Sequence, residues 1–463
     1  MSHAIRFLSA MTFLATGLFA QHSAPQTLDF EYFRANVQPI FMTKRDGNSR
    51  CVSCHSIRPQ MHMEPLPEGG ATWAEEESRA NFAVASSYVV PGNPDASKLL
   101  LHPLAEEAGG DPHHDGGKHW RSKDDPEWQR LAAWVRGATL DEPIMHKAKL
   151  EPRIIQTNSA GDNVHIIDPQ TNRVVGEITG IEVGHGAAAA PDGSRIYVSN
   201  EAESTLDVVD GHTLRIMTQI PLTGHPNNIS ASPDGRRVYV AIRQLPGAVD
   251  VIDTASLAVA KSIPIDGTVH NTYVTPDGRY VVAGSIDGKN ATVIDAATEE
   301  IAWTKYFDLG VRPMAFESNA DGTTKRMFVQ LSGFNGFAVV DFATREETAR
   351  IELPKIGPGK EPVLTGGNES HGMAVTSDNT VLVVDSRLNS AVYMYSLPGL
   401  ELLGTVDVGT SPDWVTLTPD GRTAYVANAG SNDVSVVDIR GLTEITRIPV
   451  GEVPKRNITA MLP

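Results

Sequence analysis

The chain has 463 residues, long enough for two or three domains, and its 41% hydrophobic and 21% charged residues are the balance of a folded globular protein, which excludes a disordered or membrane-embedded chain. Its 39 Lys and Arg stand against 56 Asp and Glu, and the net charge of -17 excludes nucleic acid and anionic membrane as expected partners. The 40 Gly and 30 Pro favour a turn-rich β protein over a helical one, and two cysteines are too few for a disulfide framework.

At the N-terminus Arg6 precedes an apolar run over residues 7–20, and the polar Gln21-His22-Ser23 follows. A basic start, a short apolar stretch and a small residue at its end predict a signal peptide over residues 1–20, cleaved after Ala20 or, second, after Ala24. The run is shorter than the ~20 apolar residues that span a bilayer, and no later stretch is apolar enough. The expected location is therefore periplasmic or secreted, with no membrane span after cleavage.

From residue 27 to residue 140 the pattern is helical and irregular. A first helix is expected over residues 29–41, where Phe30, Phe33, Val37, Ile40 and Phe41 recur at helical spacing. About ten residues on come both cysteines of the chain, in Cys51-Val52-Ser53-Cys54-His55. This is the C-x-x-C-H pattern of covalent haem attachment, in which two thiols add to the haem vinyl groups and the adjacent imidazole becomes an iron ligand. A structural zinc site wants four ligands in two pairs, and a redox C-x-x-C sits near a βαβ pattern; neither context is present. The expectation is one covalent haem c through Cys51 and Cys54 with His55 proximal, and hence electron transfer. A last helix is expected over residues 126–137, with Asp125 as N-cap, Pro126 at its first position, Gly137 at its C-cap and an apolar stripe of Trp128, Leu131, Trp134 and Val135.

Between those helices stand Pro91-Gly92-Asn93-Pro94 running on to Ser97 and Leu99, then His114-Asp115-Gly116-Gly117, then Trp134-Val135-Arg136-Gly137-Ala138. This segment resembles bacterial class I-like c-type cytochromes that carry PG-x-P-x-x-S, then H-x-G-G, then a helix ending W-[IV]-x-x-G-A. The resemblance implies a small all-α haem domain. Many relatives carry Met-Pro-Pro where this chain has His-Gly-Gly, which points to His114 as the distal iron ligand, with Met61 or Met63 next. His62, His102, His113 and His119 are the other candidates, with a polar surface loop as the alternative for the later histidines. A linker is expected over residues 141–151.

The remainder, residues 152–463, is a repeat. Pro191-Asp192-Gly193, Pro233-Asp234-Gly235, Pro276-Asp277-Gly278 and Pro419-Asp420-Gly421 recur, with degenerate copies around Asp321 and Asp378. The aspartates step by 42 to 44 residues, apart from one interval of 57 that holds a Gly- and Pro-rich insertion over residues 355–369. Four short strands per ~42 residues describe a β-propeller blade. The repeat resembles YVTN-type seven-bladed propellers. Seven post-turn strands are counted, starting near Arg153, Arg195, Arg237, Tyr280, Arg326, Val381 and Thr423, and the tail from Asn457 to Met461 is expected to close the first blade. The predicted fold class is thus a small all-α cytochrome c domain followed by an all-β seven-bladed propeller.

Seven residues before each turn aspartate lie His185, Asn227, His270, Met314, His371 and Asp413, and the last blade places Lys455 there. His225 and Arg312 lie two positions upstream of that ring. Three imidazoles around one axis, His185, His270 and His371, suit an additional transition metal or a small molecule; the alternative is the polar lining of a wet channel. The turn aspartates are expected to form turns and carry no chemistry. Two functions stay open: an extracytoplasmic oxidoreductase with its substrate at the propeller mouth, or an electron-transfer protein whose propeller is a docking platform. Both imply a soluble redox partner protein. No nucleophile triad, phosphate loop or nicotinamide fingerprint is present.

Overall fold

The computed structural model describes residues 28–45, 49–67, 72–112, 114–139, 150–355, 361–363 and 365–463. The signal-peptide region, most of the expected linker, His113 and part of the insertion lie outside the described residues. The chain divides into two compact units, Met1–Lys147 and Ala148–Pro463.

The first unit is helical. Residues 30–42 form one continuous helical run, capped where the Asp29 side chain accepts from the amide of Tyr32, with a π-turn over Phe33–Val37. Among the described residues of this unit Glu75–Ser86 is the longest helix and Pro126–Val135 the last. Asp125 caps the last helix through the amide of Glu127, and Gly137 beyond its end takes a left-handed φ of 91°. That conformation favours glycine because no Cβ meets the following carbonyl. Phe33, Val37, Ile40 and Phe41 are buried against Trp128, Leu131, Trp134 and Val135. Trp134 is fully buried, 5.3 Å from Phe33, and its indole N–H donates to the carbonyl of Asp29 at 3.0 Å. The two expected apolar stripes therefore pack on each other.

The second unit is a seven-bladed all-β propeller. Seven antiparallel four-stranded sheets follow in order, and the first strand of each lies beside those of the neighbouring blades in a closed ring. The counted strands are all found, from Glu151–Asn158 and Arg195–Asn200 to Thr423–Asn428. The C-terminal strand Pro454–Leu462 pairs with Glu151–Asn158, in register from Glu151 opposite Leu462 to Ile155 opposite Ile458. The chain's end thus closes the ring on its first blade and leaves that blade's inner edge paired. Alternating strand residues fill separate cores between adjacent blades, such as Ile155, Ile178 and Val198 in one and Val383, Val426 and Val437 in another.

The turn aspartates are turn formers. The Oδ1 of Asp192, Asp234, Asp277 and Asp420 each accepts an amide two residues on, at 3.0 to 3.1 Å. The degenerate copies keep this bond: Asp321 to the amide of Thr323 and Asp378 to that of Thr380. In the second, Asn379 adopts the left-handed φ of 54° that glycine supplies elsewhere.

Candidate functional site

In the first unit, Cys51–His55 is a single helical turn. Residues four and three apart share one side of a helix, so Cys51, Cys54 and His55 face the same way. All three line a cavity of about 500 Å3, with Met61, His102 and His114 also on its wall. The imidazoles of His55 and His114 lie 6.5 Å apart between ring centres, with planes 19° from parallel. The Nδ1 of His55 donates to the carbonyl of Gln60 at 3.1 Å, and that of His114 to the carbonyl of Gly117 at 2.6 Å. A carbonyl only accepts, so each Nδ1 carries the proton and each Nε2 keeps its lone pair. Burial pushes the His55 pKa below the ordinary histidine value.

The other candidates are dispersed. Met63 is fully buried in the helical core and does not line the cavity, whereas Met61 is buried on its wall with its amide bonded to the Tyr88 hydroxyl at 2.8 Å. His62 is exposed, with its Nδ1 on the carbonyl of Arg58. His102 lies parallel to His114 at 6.5 Å, with its Nδ1 2.7 Å from Asp111. His119 lies 5.9 Å from His114, its pKa pushed down to about 4 by burial, with the Arg45 charge acting in the same direction. Burial pushes the Cys51 thiol up, opposed by the Arg45 guanidinium.

The residues fit a covalent haem. Two thiols and two imidazoles stand on the wall of one cavity, the imidazoles near-parallel and 6.5 Å apart between ring centres. Two imidazoles on opposite sides of one metal, each bonded at about 2 Å, have ring centres roughly 6 Å apart. Backbone carbonyls at both Nδ1 atoms supply the outer bonds that orient metal-binding histidines.

In the propeller the ring residues lie on or beside the first strands of the blades, where sequence alignment puts them. His185 is in Gly184–Ala189, Asn227 in Pro226–Ala231, His270 in Val269–Val274, Met314 in Val311–Ser318, Asp413 in Pro412–Leu417 and Lys455 in Pro454–Leu462. His371 comes just before Met373–Val375. Six of the seven blades break register at this level, for example between Gly184 and Ala187 and between Pro412 and Trp414. A bulge re-aims side chains, so consecutive residues become buried here instead of alternating. His225 bonds the carbonyl of Glu201, and Arg312 bonds the Ser332 hydroxyl at 2.8 Å.

The three histidines make different hydrogen bonds. His185 donates from Nδ1 to Glu201 at 3.0 Å, and burial holds its pKa down to about 4. His371 donates from Nδ1 to the carbonyl of Asp413 at 2.7 Å. His270 lies 5.6 Å from His371, and its Nδ1 accepts from the Asn271 amide. Burial and then the charge of Arg456 depress the pKa of His270 strongly. Among the described residues no three His, Cys, Asp or Glu side chains converge as metal ligands. His185, His270 and His371, the expected ligands of a propeller metal, each use Nδ1 for a different partner.

Sequence reasoning missed Arg456. It is fully buried one residue after Lys455, its guanidinium 4.2 Å from the ring centre of Trp414. Gly186, Asn228, Asn271, Ala315, Gly372 and Trp414 hold the equivalent position in the other blades, all uncharged. One basic residue in that series was the available signal.

Seven four-stranded blades closed by a C-terminal strand define a β-propeller protein. A family model, the YNCE-like beta-propeller, matches residues 151–461, and the chain belongs to that family. No curated protein matches the sequence. Among solved structures the chain is similar to hydrazine synthase of Kuenenia stuttgartiensis, at 24% identity over 61% of this chain and 91% of that one, with a TM-score of 0.54. It is similar to the periplasmic gluconolactonase PpgL of Pseudomonas aeruginosa at 19% identity, covering 68% of this chain and all of that one, with a TM-score of 0.54. It is also similar to dihydro-heme d1 dehydrogenase NirN at 15% identity, over 79% of this chain and 91% of that one, with a TM-score of 0.50. At these identities the likeness establishes the fold alone.

Proposed function

We propose that the protein is an extracytoplasmic c-type cytochrome, an electron carrier whose helical unit holds one covalent haem and whose C-terminal unit is the propeller. Cys51 and Cys54 form the thioether links, His55 is the proximal ligand and His114 the distal one. The observation that carries this reading is the pair of near-parallel imidazoles, 6.5 Å apart between ring centres, on the wall of the cavity that both cysteines line. Bound there, the haem supplies one-electron exchange at iron, and two histidine ligands set a lower potential than a His/Met pair.

The chain's own residues do the rest. The carbonyls of Gln60 and Gly117 fix the two rings and leave Nε2 of each available. Burial lowers the His55 pKa, in the direction of the neutral form that binds metal. Ile40, Leu99 and Trp120 supply apolar walls that would pack against the haem ring. Attachment to C-x-x-C-H outside the cytoplasm, the apolar run over residues 7–20 and the name of the periplasmic relative PpgL all support the location. Electrons pass to or from a soluble redox partner protein.

Protein matured with the haem-attachment machinery should keep its haem colour on a denaturing gel, and the Cys51→Ser, Cys54→Ser double variant should lose it. His114→Ala should replace the six-coordinate low-spin spectrum with one that responds to carbon monoxide. A colourless wild-type band overturns the haem reading, and an unchanged His114→Ala spectrum moves the distal ligand to Met61.

A further inference from the structure

The buried Arg456 has no anionic partner of its own. Its Nη2 donates to the Oδ1 of Asn227 at 2.8 Å, while its Nε and Nη1, both buried, have no partner among the described residues. Because Asn227 Oδ1 is taken by Arg456, the Asn227 amide nitrogen faces inward as a donor, and it too is buried without a partner. His185 is adjacent through the backbone: the Thr157 hydroxyl bonds both the carbonyl of His185 at 2.9 Å and that of Arg456 at 3.1 Å. With its Nδ1 proton given to Glu201, His185 presents a bare Nε2, also buried and unpartnered. Two donor groups and one acceptor are thus left unsatisfied in one layer of the propeller's inner ring. Buried polar groups are ordinarily hydrogen-bonded, and a buried guanidinium is costly without compensation.

Asp413 acts on Arg456 through its charge, but the nearby carboxylates direct their bonds to other residues. Asp413 is engaged by Lys455 at 2.9 Å and Arg387 at 3.0 Å, two cations on one anion. Glu201 is taken by His185. Arg312 adds a second positive charge and bonds only neutral oxygens, those of Ser332 and Gly367. Burial pushes the Asp385 carboxyl well above the usual carboxylate range, and its Oδ1 accepts from the amides of His371 and Gly372 instead of from Arg456. The carboxylates of the inner ring thus bond to residues other than Arg456, whose Nε and Nη1 stay without a partner among the described residues. Stacking on Trp414 orients the guanidinium plane but brings no negative charge.

We propose that the propeller's central channel binds a small oxyanion, held by Arg456 and Asn227, with the Nε2 of His185 accepting from a hydroxyl or other proton donor on the ligand. The chemistry is that of a carboxylate or an inorganic oxyanion, since a guanidinium pairs with either through charge-assisted hydrogen bonds. The proposal does not depend on the haem reading, because every residue it uses belongs to the second unit.

The test is isothermal titration of the full-length protein with formate, acetate, oxalate, nitrite and phosphate, at an ionic strength fixed with sodium chloride. At least one of these should bind with one site per chain, and whether it is a carboxylate or an inorganic oxyanion identifies the source. Arg456→Gln should weaken that binding at least tenfold, about 1.4 kcal/mol. Asn227→Ala should weaken it by less, and Arg236→Gln, at an exposed turn, should leave it unchanged. If Arg456→Gln does not fold by circular dichroism, Arg456→Lys, which keeps the charge and loses the planar fork, takes its place. No binding of any panel member to the wild-type protein, or equal affinity in the Arg456 variant and the wild type, overturns the proposal and leaves ordered water as the partner of these groups.

Discussion

His185 makes the propeller acid-sensitive, and the size of the effect follows from its surroundings. The ring is 4% exposed, and burial, with the charges of Arg456 and Lys455, moves its pKa from 6.5 down to about 4, against the opposing bond to Glu201. In the unfolded chain the imidazole takes up a proton as pH falls through 6.5, whereas in the folded protein it stays neutral until about 4. Stability is therefore full above pH 6.5 and is lost on acidification at up to about 1.4 kcal/mol per pH unit, some ~3 kcal/mol across the window. His185→Gln removes this titration while an amide N–H still reaches Glu201. Urea unfolding of both proteins should be followed through the β-sheet signal in circular dichroism, at intervals from pH 7.5 to 4.5. Whatever the variant costs at pH 7.5, its stability relative to wild type should improve by about 1.4 kcal/mol per unit below pH 6.5. Taking the difference cancels contributions common to both, including those of His270, His371 and the oppositely acting Asp385. A gap between the two proteins that stays constant with pH, or that widens against the variant on acidification, refutes a neutral buried His185.

Two further predictions concern the frame that holds the sites. Trp134→Ala should cost about 3–5 kcal/mol in the helical unit, because it empties a fully buried site against Phe33 and removes one of the two bonds to the carbonyl of Asp29. Amide exchange in peptides covering residues 30–42 should accelerate, and unchanged protection would show that the first and last helices do not support each other. Gly193→Ala should destabilise the propeller more than Gly322→Ala: both glycines are left-handed, but a Cβ on Gly193 would sit 2.5 Å from the carbonyl of Met461 in the closing strand, whereas one on Gly322 meets nothing within 4 Å. The left-handed strain alone is worth about 1–2 kcal/mol, so thermal melts of equal midpoint would argue against that contact with the closing strand.

Local chemistry made much of this protein legible from its sequence. Asp-Gly turns at a regular period, each followed by a Val-rich strand, determine blade number and strand order, because an aspartate bonding the amide two residues on and a glycine at positive φ need no distant partner. The stripe of Trp128, Leu131, Trp134 and Val135 likewise marks a helix with one apolar side, and Cys51, Cys54 and His55 share a face by helical spacing alone. Tertiary structure decided what depends on partners far along the chain. It set His114 across from His55, 59 residues on, and put Met63 in the core instead of at the cavity. It also turned the propeller histidines toward different neighbours. Repeat alignment brings His185, His270 and His371 to one level, but a bulge at that level buries the next residue as well, so the last strand carries Arg456 inward beside Lys455. The charge balance there is a sum over blades: Lys455 and Arg387 consume Asp413, and Arg456 is left over. No single repeat contains that sum, because it exists only once the C-terminal strand has closed the ring.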